Sequence, residues 1–109
     1  MSIEQGLPDK PLGIIANVLE STGFEAGYVF EDLIFSNHNF FVLRMEPQPN
    51  RVSIFFNEES DVLLRQETTE KLKESGKSYQ LDLHYGGTYR LNPDEENETL
   101  DIEFIEAHD

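Results

Sequence analysis

Phe40-Phe41-Val42-Leu43-Arg44-Met45-Glu46, then Pro47-Gln48-Pro49-Asn50, then Arg51-Val52-Ser53-Ile54-Phe55-Phe56-Asn57 is the stretch on which the fold turns. Two apolar runs of strand length flank a turn that holds two prolines. Phe and Val favour a pleated, half-buried surface. Proline presets φ and cannot donate to a ladder, so Pro47 and Pro49 keep pairing out of the connection. The stretch predicts a β-hairpin whose strands are the most buried in the protein. Both runs are too continuous for a clean in/out alternation, so much of their second face is expected to be covered too.

On the N-terminal side, residues 1–8 carry little pattern and are expected to be loose. Asp9-Lys10-Pro11 reads as a helix start, with an Asp cap and Pro in the first turn. Leu12, Ile15, Ala16 and Leu19 then share one helical face, while Ile14 and Val18 lie i, i+4 on a neighbouring face. Gly23 suits the left-handed position after the last turn. So wide an apolar stripe exceeds what one sheet face needs to cover. Ile14 and Val18 are therefore candidate contact residues for a partner or a second copy. The run from Tyr28 to Phe35 reads as one strand with a bulge at Glu31-Asp32. Ser36-Asn37-His38-Asn39 reads as a turn.

On the C-terminal side, Asn57-Glu58-Glu59-Ser60 opens a second helix. Its buried positions are expected at Leu64, Thr68 and Leu72, with Leu63 beside them, and its end at Ser75-Gly76. A competing reading makes Val62-Leu63-Leu64 a return strand. Tyr79, Leu81, Leu83 and Tyr85 alternate with polar residues, as strands do. Gly86-Gly87 then reads as a hairpin turn into Thr88–Asn92. A two-residue loop would put the apolar residues of the two strands on opposite faces. The spacing therefore predicts a three-residue loop, with Gly87 at positive φ. Leu100, Ile102 and Phe104 alternate in a last strand, and 107–109 should fray.

These readings give one α+β domain over 1–109, in the order α-β-β-β-α-β-β-β. The sheet is expected to be antiparallel, with both helices packed on one face. A chain of 109 residues supports one domain and one real core, to which eight Phe and four Tyr contribute. The order and the acidity resemble those of secretion-chaperone-like α+β proteins, a likeness of element order and not of a motif.

Composition excludes several chemistries. The absence of Cys removes disulfides, thiolate metal sites and thiol nucleophiles. No Gly-rich loop leads into a helix and no Gly-x-Ser-x-Gly elbow occurs, so phosphate cradles and that serine nucleophile have no sequence support. The net charge of −14 opposes binding to nucleic acid or to an anionic membrane. No basic region followed by an apolar run marks the N-terminus, and no stretch approaches a membrane span; the expected location is the cytoplasm.

One polar constellation stands out. On the three-residue loop, Asp82 and His84 would share a face with Arg90, and with Asp101 and Glu103 if the last strand pairs alongside. A His among carboxylates and an Arg can bind a metal or a small ligand, or move protons. No pair among His38, His84 and His108 has metal-ligand spacing, so neither a metal nor another cofactor is expected. The leading expectation is a small acidic protein-interaction module, adaptor or chaperone-like. It would bind a protein partner or itself through apolar surface on helix 1 or a sheet edge. The alternatives are a ligand, metal or catalytic site at Asp82, His84 and Asp101, and mimicry of a polyanion. Enzymatic activity is not the expectation.

Overall fold

A computed structural model describes residues 12–36, 40–48 and 50–107. In chain order the elements are α1 (Leu12–Ser21), β1 (Ala26–Phe30), β2 (Leu33–Ser36), β3 (Phe41–Met45), β4 (Arg51–Asn57), α2 (Val62–Ser78), β5 (Asp82–Asp94) and β6 (Thr99–Glu106). The six strands form one sheet in sequence order, β1-β2-β3-β4-β5-β6. Helix, strands, helix and strands follow one another as expected, in a single α+β domain with six strands. The strands divide four and two, not three and three.

The predicted hairpin is β3–β4, with Phe41 opposite Phe56 and Met45 opposite Val52. It forms the middle of the molecule: Phe41, Val42, Leu43, Val52, Ile54, Phe55 and Phe56 are fully or almost fully buried. Alternate residues feed two cores. Phe41, Leu43, Met45, Val52, Ile54 and Phe56 pack with Ile15, Val18 and Leu19 of α1 and with Leu72 of α2. Val42 and Phe55 face the other way and pack with Leu33 and Tyr89. Both faces of the hairpin are thus covered, which is why neither strand alternates cleanly in sequence.

The sheet is mixed, contrary to the antiparallel expectation. β5 runs parallel to β4, with Val52 opposite Leu83, and α2 is the crossover between them. Parallel neighbours need such a connection, and helical periodicity over 62–78 supplies it. α2 runs on past the predicted stop at Gly76, which is buried because its bare Cα faces Leu81 and Leu83. Its N-cap is Asp61, which accepts from Leu63 N–H at 2.9 Å. The strand reading of Val62-Leu63-Leu64 is excluded. The buried face is Thr68, Thr69, Leu72 and Gly76, while Leu64 is exposed and Leu63 is 83% exposed.

Two further boundaries differ from expectation. Glu31-Asp32 is a two-residue turn between β1 and β2, with Phe30 opposite Leu33. A turn and a bulge both restore apolar residues to one face, so alternation alone did not separate them. A register irregularity lies instead between Ala26 and Tyr28. Likewise Gly86-Gly87 is not a turn. The chain runs straight through it, and the pairing steps from Ile54–Tyr85 to Phe55–Gly87, leaving Gly86 as an extra residue. Gly87 has the expected positive φ, 139°, but within a bulge. The bulge swaps the faces of β5. Leu83 before it belongs to the helix-side core, and Tyr89 and Leu91 after it belong to the other. The face reversal that the three-residue loop was invoked to avoid does occur, and each half of the strand feeds its own core.

α1 ends as predicted, with Gly23 at φ 91° and Phe24 N–H bonded to Leu19 O at 2.9 Å. The expected helix start at Asp9–Pro11, the loose residues 1–8 and 108–109, most of the 36–39 turn, Pro49, His38 and His108 lie outside the described residues.

Candidate functional site

Two candidate places stand out among the described residues. The first is a polar cluster on the sheet face away from the helices. Arg44, Ser53 and His84 interrupt apolar strands there, one each from β3, β4 and β5, and Glu46 follows β3 directly. Ser53 stands opposite His84 and opposite Arg44 in the two ladders. Arg44 Nε donates to Glu46 Oε2 at 2.9 Å, and Arg44 Nη2 to Glu106 Oε2 at 3.3 Å. The guanidinium carbon lies 4.6 Å from the Phe55 ring centre and 5.1 Å from that of Phe104. The two rings are 4.6 Å apart, although β5 runs between their strands. Gly86 makes this closeness workable, since a Cβ there would stand 2.8 Å from Phe55 Cζ.

Proton positions follow from the donors available. Glu46 Oε2 lies 2.6 Å from Ser53 Oγ, which lies 2.9 Å from His84 Nε2. An ionised carboxylate only accepts, so the single Ser53 proton goes to Glu46. Ser53 Oγ must then accept from His84 Nε2–H, and His84 Nδ1 is left as the bare acceptor. That atom is buried and has no hydrogen-bond partner among the described residues. Burial, reinforced by Arg51, holds His84 below the ordinary imidazole range against the opposing pull of Asp82 and Glu46. Burial works against Glu46 ionisation, but the bonds from Ser53 and Arg44 outweigh it and hold its carboxyl low. Ser53 is almost wholly buried, and its proton is held away from the imidazole. The trio lacks the order of a nucleophile and its base, in which the hydroxyl donates to the His.

The five residues predicted to share a ligand face are divided. Asp82 and His84 precede the bulge; Arg90 follows it in the same strand, on the opposite side. Asp82 is exposed and pairs with Arg51 at 3.7 Å. Arg90 pairs with Glu58 at 2.6 Å and with Glu103 at 3.4 Å, and Asp101 stands opposite Asn92. The hairpin expected to bring Arg90 onto the face of Asp82 and His84 does not form, because all three belong to β5. Among the described residues no group of three or more His, Cys, Asp or Glu is placed to hold a metal. Arg44, Glu46 and Ser53 were not singled out from sequence. Their one signal was a polar residue inside or at the end of an apolar run.

The second place is the β1 edge. All five β1 residues are exposed, and Tyr28, Val29 and Phe30 are 60%, 45% and 51% exposed. Tyr28 and Phe30 lie on one face with rings stacked at 6.5 Å and 9°. Of the helix-1 pair, Val18 is fully buried in the core and offers a partner nothing, whereas Ile14 is 37% exposed. Among the described residues no helix is long and apolar enough to cross a membrane. Comparison with protein-family models, with curated proteins and with solved structures finds no match.

Proposed function

We propose that this chain is a small acidic protein-interaction module that takes a partner along the β1 edge. The observation that carries the reading is the exposure of Tyr28, Val29 and Phe30 on a strand that, among the described residues, lies at the edge of the sheet. Unpaired strand edges invite another chain, and proteins usually blunt them with charge or cover. β1 itself contains no charged residue. Aromatic residues on such an edge supply contact area at low entropic cost, as they do in other recognition surfaces. Capture from the native host's lysate tests the reading. Tyr28→Ser with Phe30→Ser should lose a protein that the wild-type chain and Ile14→Glu both retain. Retention by the double variant, with its circular dichroism unchanged, counts against the edge.

A second reading is a small-ligand site at His84, favoured by the unpartnered Nδ1. A ligand that donates a hydrogen bond there would move the Nδ1 nitrogen resonance, and a screen that never moves it removes this reading.

A further inference from the structure

We infer that the groove between α2 and the first half of β5 binds a small organic monoanion. Its carboxylate would sit on Lys73 and its aromatic or branched apolar body on Tyr85. The inference does not depend on the β1 edge reading, and either can fail alone. The groove encloses about 400 Å³, a size typical of small-molecule sites. Val62, Arg65, Gln66, Glu70 and Lys73 line it from α2, and Tyr85 lines it from β5. Helical periodicity brings the α2 residues to one flank, since positions three and four apart are neighbours. The crossover brings Tyr85 to them. α2 runs back against the direction of the two parallel strands it joins, and a Cβ on Gly76 would meet Leu83. Tyr85 lies two residues further along β5, roughly 6.6 Å, a little over one helical turn. It therefore stands level with Leu72 and Lys73.

The apolar side of the groove is a fixed platform. The Tyr85 ring rests on Phe56 of the helix-side core, with centroids 6.2 Å apart, yet Tyr85 remains 44% exposed. Val62 is 67% exposed. The polar side holds charge that the fold leaves unpaired. In a chain of 22 acids and eight bases, Arg44, Arg51, Lys77 and Arg90 each pair with a carboxylate. Arg65 and Lys73 have no such partner among the described residues, and both line this groove. Lys71 is the third such base and is not among the groove's lining residues. Arg65 is anchored: Nε donates to Ser60 Oγ, and Nη2 to the carbonyls of Glu58 and Ser60, each at 3.0 Å. These acceptors fix the guanidinium without cancelling its charge. Lys73 is exposed and keeps its ammonium for a ligand. Glu70, which accepts from Gln66 Nε2 at 3.3 Å, offsets one of the two cations. The single net positive charge suits one carboxylate. A polyanion would also meet the −14 of the whole chain.

The test titrates the full chain with phenylacetate, phenylacetamide and phenethylammonium, which share a ring and differ in charge, and follows amide and ring resonances by NMR. Phenylacetate should move Tyr85 and Lys73 with a millimolar Kd, about tenfold below that of the amide, because charge-assisted hydrogen bonds are the stronger ones. Phenethylammonium should bind more weakly than phenylacetate. Added salt should narrow the difference between phenylacetate and the amide. Lys73→Gln should reduce phenylacetate to the level of the amide, Lys73→Arg should keep most of the preference, and Lys71→Gln should change neither. Tyr85→Ser should weaken phenylacetate and phenylacetamide alike. The comparison of the three probes on the wild-type chain needs no variant, so a failure of Tyr85→Ser to fold leaves it intact. Equal binding of the three, or a preference for the ammonium ion, overturns the inference. So does the absence of any shift at Tyr85 and Lys73 at millimolar probe. Shifts confined to His84 overturn it in favour of the polar cluster.

Discussion

The two faces of the sheet are closed by different means. On one, both helices contribute to a core of thirteen buried residues that are apolar throughout. On the other, the described helices contribute no buried residue, and the buried apolar cluster is Leu33, Val42, Phe55 and Tyr89, with Ser53 buried beside it. Partly buried rings and the Arg44–Glu46–Ser53–His84 cluster complete that face. The comparison shows how one strand serves both. The Gly86 bulge turns the apolar side of β5 over in mid-strand, so that a single segment supplies Leu83 to one core and Tyr89 to the other.

If the helix-side core holds most of the stability, truncation there should cost most. Phe56→Ala is expected to lower unfolding free energy by about 4 kcal/mol, read from urea midpoints. Gly87→Ala attacks the hinge between the faces. Its φ of 139° suits glycine, and a Cβ would press on Ile105 O and the backbone beyond it. We expect a loss of about 3 kcal/mol, with near-ultraviolet signals of Tyr89 and Phe104 changed before those of the helix side. Phe104→Ala on the helix-free face should cost about 2 kcal/mol, because the ring is only partly buried. An equal cost for Phe104 and Phe56 would mean that the two faces contribute alike.

A pH titration separates the faces without truncation. His84 is held below the ordinary imidazole value of 6.5 in the folded protein. The unfolded chain therefore binds its proton more readily. The stability contributed is complete above pH 6.5 and is lost as pH falls through the lower folded value. Urea midpoints should drop in that window for the wild type and drop less for His84→Gln. An identical fall in both would remove His84 as the cause. The smallest effect is expected at the β1 turn. Glu31 has φ 54°, and Glu31→Gly should add about 1 kcal/mol by relieving a left-handed residue. A loss there would show that the glutamate side chain contributes more than its backbone costs.

Much of this fold was legible because the central hairpin is written in local terms: apolar runs of strand length, two prolines and polar ends. The helices were legible from spacing, and Gly23 from its place after the last turn. The parallel crossover was not, since periodicity identifies elements without naming their neighbours. The available clue was the pair of continuous apolar runs, which require cover on both faces. The Gly86 bulge was hidden for a different reason. Gly-Gly between alternating strands is the usual signature of a turn, and an extra residue within one strand gives nearly the same pattern. His84 was found on the face away from the helices, yet with the wrong companions. Arg44, Glu46 and Ser53 come from other strands, and only tertiary pairing brings them to it.

The parallel pairing of β4 with β5 also bears on how the chain acquires its shape. β1 to β4 pair with immediate neighbours in sequence, so their loops close cheaply. β5 cannot reach β4 until α2 has been laid down between them, and such distant pairings raise contact order and slow folding. The meander is expected to form first, with β5 and β6 docking after the main barrier. Mutations in β5 should then accelerate unfolding and leave the folding rate almost unchanged, whereas mutations in β3 should slow folding.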